Sequence, residues 1–131
     1  LVQVEGIGKV YAEKLALAGV SSARQFLQEG ASPAGRKRLA EVCGLGESRI
    51  LEWLNHLDLM RVKGIGPEFS DLLEEAGVDT VMELARRNPQ NLTEALRATN
   101  AQKRLVRRLP PLAMVENWVA QAKELPRLLT Y

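Results

Sequence analysis

One seventeen-residue passage occurs twice in this chain, and a chain that repeats itself is expected to fold into repeated units. Val4-Glu5-Gly6-Ile7-Gly8 through Ala18-Gly19-Val20 returns as Val62-Lys63-Gly64-Ile65-Gly66 through Ala76-Gly77-Val78, an offset of 58 residues from Gly6 to Gly64. Of the 17 positions, 8 are identical, where average composition gives about one by chance. Trp53 and Trp118 take matching places late in each copy at an offset of 65, so the second copy has gained 7 residues. The boundary is expected near Asp58 to Arg61, which gives units of 1–60 and 61–131. Leu57-Asp58-Leu59-Met60 has no Pro, Ser or Gly, so the units are expected to pack as one body rather than hang on a linker.

The fold class expected is all-α. No alternating apolar/polar run is bounded by turn residues, so no strand is predicted. Glycines and prolines punctuate helical patterns instead. Helices are expected at about 9–18, from Ser21 to Gly30, from Ser32-Pro33 to Cys43, and at about 47–57. The second half follows with helices at about 67–76, one capped by Asp79 and broken at Asn88-Pro89, and one capped by Asn91. A short basic helix at about 101–108 and a last one at about 112–125 complete the series. Ser32-Pro33 combines an N-cap with proline at the first helical position, where its missing N–H costs nothing.

Aromatics are only 5% of the 131 residues, so Leu, Val, Ile and Ala must build the core. No apolar run approaches the roughly 20 residues of a membrane span, and Leu1 to Glu5 do not resemble a signal peptide. Cys43 is the only cysteine and His56 the only histidine. An internal disulfide and a typical zinc site are both excluded, and a reducing cytoplasm is the expected setting. Cys43 reads as a small buried apolar group, and the tryptophans as core residues. No P-loop or nucleophile elbow occurs, and Gly6-Ile7-Gly8 does not open a dinucleotide fingerprint because Tyr11 stands where the third glycine belongs. No catalytic residue, metal or cofactor is expected.

The glycine turns carry the functional reading. Two glycines let the backbone reverse and let a ligand come close. The apolar residue between them plugs the gap between helices, and the next helix presents unpaired N–H groups at its positive end. Leu1-x-x-Val4-x-Gly6-Ile7-Gly8-x-x-x-Ala12-x-x-Leu15 resembles the helix-hairpin-helix motif of sequence-independent DNA-binding proteins. Leu59-x-x-Val62-x-Gly64-Ile65-Gly66-x-x-x-Ser70-x-x-Leu73 matches it again, and Leu39-x-x-Val42-x-Gly44-Leu45-Gly46 supplies a third, looser match. At the fourth equivalent place stands Leu109-Pro110-Pro111, whose prolines cannot donate. Each unit thus resembles a tandem pair of hairpins. The longer strings, including Trp53-Leu54-Asn55-His56-Leu57-Asp58-Leu59-Met60-Arg61 and Arg87-Asn88-Pro89-Gln90-Asn91-Leu92, resemble an uncharacterised bacterial domain family in which two such units are fused. That family implies the fold and assigns no activity.

Charge chooses among the turns. The candidate nucleic-acid contacts are Gly6, Ile7, Gly8, Lys9 and Lys14 around the first turn, with Arg36, Lys37, Arg38, Gly44, Gly46 and Arg49 around the third. The helix after Gly64-Ile65-Gly66 carries Glu68, Asp71, Glu74 and Glu75, and like charges there would cost a phosphate about 1 kcal/mol each at close range even in water. Lys103-Arg104 and Arg107-Arg108 read as one basic stripe that either binds an anion or pairs with that acidic helix. The leading expectation is a non-catalytic module holding nucleic-acid backbone without sequence preference, with DNA ahead of RNA. The competing one is a protein-interaction or scaffolding module, favoured by a net charge of only +2.

Overall fold

The computed structural model describes residues 7–131, and every regular element among them is an α-helix. The chain divides into two units. Residues 1–58 with 127–131 form the first, and residues 59–126 the second. The division falls inside the last turn of a helix, and the final five residues return to the first unit.

The first unit holds α1 (Lys9–Leu17), α2 (Ala23–Glu29), α3 (Pro33–Cys43) and most of α4 (Glu47–Leu59). The Ser22 and Ser32 hydroxyls cap α2 and α3 by accepting the Gln25 and Gly35 N–H, each at 3.2 Å. Leu15, Phe26, Leu39, Ile50, Trp53 and Leu54 form the buried core. α3 is the central element, packing against both α1 and α2. Its approach to α2 is very close: a Cβ on Gly35 would stand 1.8 Å from the Glu29 carbonyl oxygen. The next residue, Arg36, is also buried and fastens the C-terminal strand of coil. Its guanidinium donates to the carbonyls of Gly30 (2.8 Å), Ala31 (3.3 Å) and Thr130 (2.6 Å). The Thr130 N–H returns a bond to Ala31 O at 2.8 Å, and the buried Leu129 side chain seats the tail.

The second unit holds α5 (Pro67–Glu75), α6 (Val81–Ala85), α7 (Pro89–Lys103) and α8 (Leu112–Glu124). Leu72, Leu73, Leu84, Leu92, Leu96, Val115 and Trp118 are among the side chains of its continuous apolar core. Gln121 on α8 clamps the chain before α5. Its Oε1 accepts the Lys63 N–H at 2.9 Å and its Nε2 donates to Lys63 O at 3.0 Å. Gly64 adopts φ +101°, and a Cβ there would lie 3.0 Å from Trp118 Nε1. Gly64→Ala combines a left-handed penalty with a clash against a fully buried ring, so a loss of about 2 kcal/mol is expected in urea titration.

The sequence repeat is reproduced bond by bond. In both units the glycine after the first helix is left-handed, Gly19 at φ +87° and Gly77 at φ +96°. The Val20 N–H reaches Leu15 O at 2.9 Å, and the Val78 N–H reaches Leu73 O at 2.8 Å. The cap of α2 recurs at α6, where Thr80 Oγ1 accepts the Glu83 N–H at 3.2 Å. The third helical residue reaches back each time, Gln25 Oε1 to the Ser21 N–H and Glu83 Oε2 to the Asp79 N–H, a variant of the capping box. Tyr11 tilts against Trp53 with centroids 5.5 Å apart, and Phe69 against Trp118 at 5.2 Å.

Three expectations for the second half differ. Thr80, not Asp79, is the N-cap of α6. Asn88 is itself a cap, its side chain accepting the Asn91 N–H at 3.0 Å, so one helix runs from Pro89 to Lys103 and Asn91 lies inside it. The short basic helix at 101–108 does not form. The Asn100 side chain folds the chain back by bonding both the N–H (3.0 Å) and the carbonyl (3.1 Å) of Val106. The helix then ends on Arg104 in the left-handed region, φ 51° and ψ 49°, a conformation costing a non-glycine residue about 1 kcal/mol or more.

Candidate nucleic-acid interface

Among the described residues, four helices begin on a side-chain cap: Ser22, Ser32, Thr80 and Asn88. The helices that begin at Gly8 and Gly66 do not. Gly8 precedes α1 in extended conformation, φ −84° and ψ 179°, with no side-chain bond to the first turn. Gly66 is the equivalent residue before α5. The first-turn amides of α1 therefore keep the partial positive charge that a cap would quench. No acidic residue stands in that turn, and Gly8, Lys9 and Val10 are all exposed. Gly6 lies outside the described residues. Ile7 is buried.

At the third turn the two glycines have different roles. Gly44 is left-handed at φ +67° and closes α3, its N–H bonding Glu41 O at 3.3 Å. That amide belongs to the helix end and does not point to a ligand. Gly46 opens α4, and both glycines are exposed. Glu47 occupies the first turn of α4, where its carboxylate competes for the same amides.

The glycines can be sorted by whether the fold itself needs them. Among the described residues, a Cβ on Gly8 would meet nothing within 4 Å, and one on Gly46 only Ser48 Oγ at 3.8 Å. Neither has the positive φ that Gly19, Gly44, Gly64 and Gly77 show. Local conformation and internal packing thus account for Gly44 and Gly64 but not, among the described residues, for Gly8, Gly46 and Gly66, and of these three Gly66 opens the helix whose first turn carries Glu68.

The cations divide as well. Lys9, Lys37 and Arg49 are exposed and make no ion pair with any described residue. Lys14 spans α1 and the end of α3, its Nζ 3.5 Å from Cys43 O and 5.4 Å from the Tyr11 ring centroid. Burial raises the pKa of the Cys43 thiol, and the Lys14 charge opposes that rise. Arg38 pairs with Glu29. Arg36 departs from the sequence expectation, being 5% exposed with its guanidinium directed at three backbone carbonyls. It cannot meet a phosphate without abandoning them.

In the second unit Lys103 pairs with Glu75 of α5 at 2.9 Å, so the basic segment and the acidic helix do meet at that point. Arg104, Arg107 and Arg108 remain on the irregular segment that follows α7. No local pattern marks this segment as coil, because its signal is a single side chain, Asn100, six residues upstream of its partner.

Among the described residues no helix is long and apolar enough to cross a membrane. The fold defines an all-α protein built from an internal repeat. A family described as a domain of unknown function (DUF4332) matches residues 5–125, and the chain belongs to that family. No curated protein and no solved structure matches it significantly.

Proposed function

We propose that each unit is a tandem helix-hairpin-helix pair and that the first unit is a non-catalytic module for nucleic-acid backbone, with duplex DNA as its main ligand. The supporting observation is the pair of glycines at Gly8 and Gly46, which have no positive φ and where a Cβ would meet no described atom closer than ordinary contact. A glycine that the fold does not require leaves room for something outside the fold to approach the backbone. Phosphate oxygens would take the first-turn amides of α1 and α4, while Lys9, Lys14, Lys37 and Arg49 supply a salt-dependent attraction. The lone buried thiol suits a reducing, cytoplasmic setting.

Substituting Gly8 by Ser separates fold from function. Serine is a better N-cap than most residues, so stability is expected to hold or to rise by up to about 0.5 kcal/mol. Affinity for duplex DNA is expected to fall at the same time, because the new hydroxyl occupies the amides and the new Cβ blocks approach. Fluorescence anisotropy over a salt series reads the affinity, and Lys37→Glu should flatten the salt dependence by about one phosphate contact. Unchanged DNA affinity in both variants would remove the nucleic-acid reading.

A second reading has its own observation. α1 exposes Val10 (63%) and Leu17 (90%), two apolar residues seven positions apart on one helix face. Such a face favours a protein partner, and salt-insensitive binding to protein without DNA affinity would select that reading.

A further inference from the structure

The coil after α7 gathers cations that nothing in the fold uses. Arg104, Arg107 and Arg108 line a cleft of about 740 Å³ in the second unit. All three are exposed and make no hydrogen bond or ion pair through their side chains with another described residue. The neighbouring Lys103 is drawn away by Glu75. One carboxylate, Glu68, also lines the cleft, so three guanidinium groups face one acid. The half-buried Phe69 and Leu105 give it an apolar side.

Two features hold this arrangement in place. Asn100 bonds the Val106 backbone at both its N–H and its carbonyl, which fixes the segment carrying the arginines. Arg104 is the one left-handed non-glycine residue among those described. Helix ends of this kind favour glycine or asparagine, and an arginine kept there against its conformational preference points to a use for its side chain. Guanidinium forks match phosphate oxygens in pairs. The volume falls in the range of small-molecule sites.

We propose that this cleft binds a phosphorylated ligand of mononucleotide size, its phosphates on Arg104, Arg107 and Arg108 and its planar ring against Phe69 and Leu105. The site uses side chains rather than helix-end amides, and Pro110 and Pro111 could donate none. It lies in the other unit from the glycine turns assigned to DNA and does not depend on that assignment.

Isothermal titration of the full chain with ATP, adenosine and pyrophosphate tests it. ATP is expected to bind with an affinity that falls as salt rises, adenosine not to bind, and pyrophosphate to bind more weakly than ATP. Arg104→Gly and Arg107→Gln should each weaken ATP by about tenfold or more. Arg104→Gly should do so with an unchanged or raised Tm, since glycine relieves the left-handed backbone. Lys103→Gln should leave ATP affinity unaltered. Absence of ATP binding, or equal affinity in the wild type and both arginine variants, would overturn the proposal. Pyrophosphate binding as tightly as ATP would overturn the role given to Phe69 and Leu105. DNA binding by Gly8→Ser and Lys37→Glu is read separately, so either assignment can fail alone.

Discussion

Gly35→Ala is expected to destabilise the first unit severely. The new Cβ would lie 1.8 Å from the Glu29 carbonyl oxygen, and real Cβ atoms essentially never come within 3.0 Å of such an atom. The obstruction is backbone, so no rotamer change relieves it. α3 must withdraw from the end of α2, which loosens the Ser32 cap and pulls Arg36 from the carbonyls it serves. A loss of about 4 kcal/mol is expected, in the upper tail for a single substitution. A unit of this size has about 3–9 kcal/mol in total at 0.05–0.15 kcal/mol per residue. Thermal unfolding by circular dichroism should show the loss, and hydrogen exchange should place it in α1 to α3. Gly8→Ala is the control, since its Cβ meets no described residue within 4 Å. Equal melting temperatures for the two variants would contradict this account of the α2–α3 contact.

The second large effect is expected at Arg36. Truncation to alanine strips the guanidinium from Gly30 O and Thr130 O and leaves Ala31 O only the bonds it accepts from the Thr130 N–H and hydroxyl. The buried Gly30 carbonyl loses this donor at a desolvation penalty, and bonds from a charged donor are the stronger kind, so a loss of about 3 kcal/mol is expected. The tail should come loose as well, because Tyr131 also rests on this guanidinium, its ring centroid 5.7 Å away. Arg36→Lys should rescue little, since one ammonium cannot reproduce a planar fork spread over three carbonyls. Urea titration measures the loss, and limited proteolysis should show earlier cleavage after Arg127. A tail equally protected in Arg36→Ala would mean that Leu129 and the Thr130 bonds to Ala31 hold it without the guanidinium.

Much of this fold was legible because much of it is local. Gly19 and Gly77 end helices through their own left-handed backbone, and Ser22 and Thr80 begin them through bonds three residues long. The duplicated passage therefore predicted two duplicated structures. The misreadings came where one distant bond overrides local preference. A helical pattern at 101–108 is undone by Asn100 reaching Val106, and Gly35 looks like an ordinary helical glycine until α2 is placed against it. Arg36 is a different case. It shares the i+3, i+4, i+7 series of Leu39, Ala40 and Cys43, so helical period alone puts it on the buried face. Its charge, read together with Lys37 and Arg38, masked that position. For the candidate interface the glycine turns were readable, but the difference between a glycine the fold needs and one it does not required coordinates.

The docking of residues 127–131 onto α3 also sets an order of events during synthesis. The N-terminal repeat leaves the ribosome first, yet Leu129 and the Thr130 carbonyl, which fill its last places, are made after the entire second repeat. The half made earliest is therefore the half completed latest, and until then its Arg36 guanidinium lacks one of three acceptors.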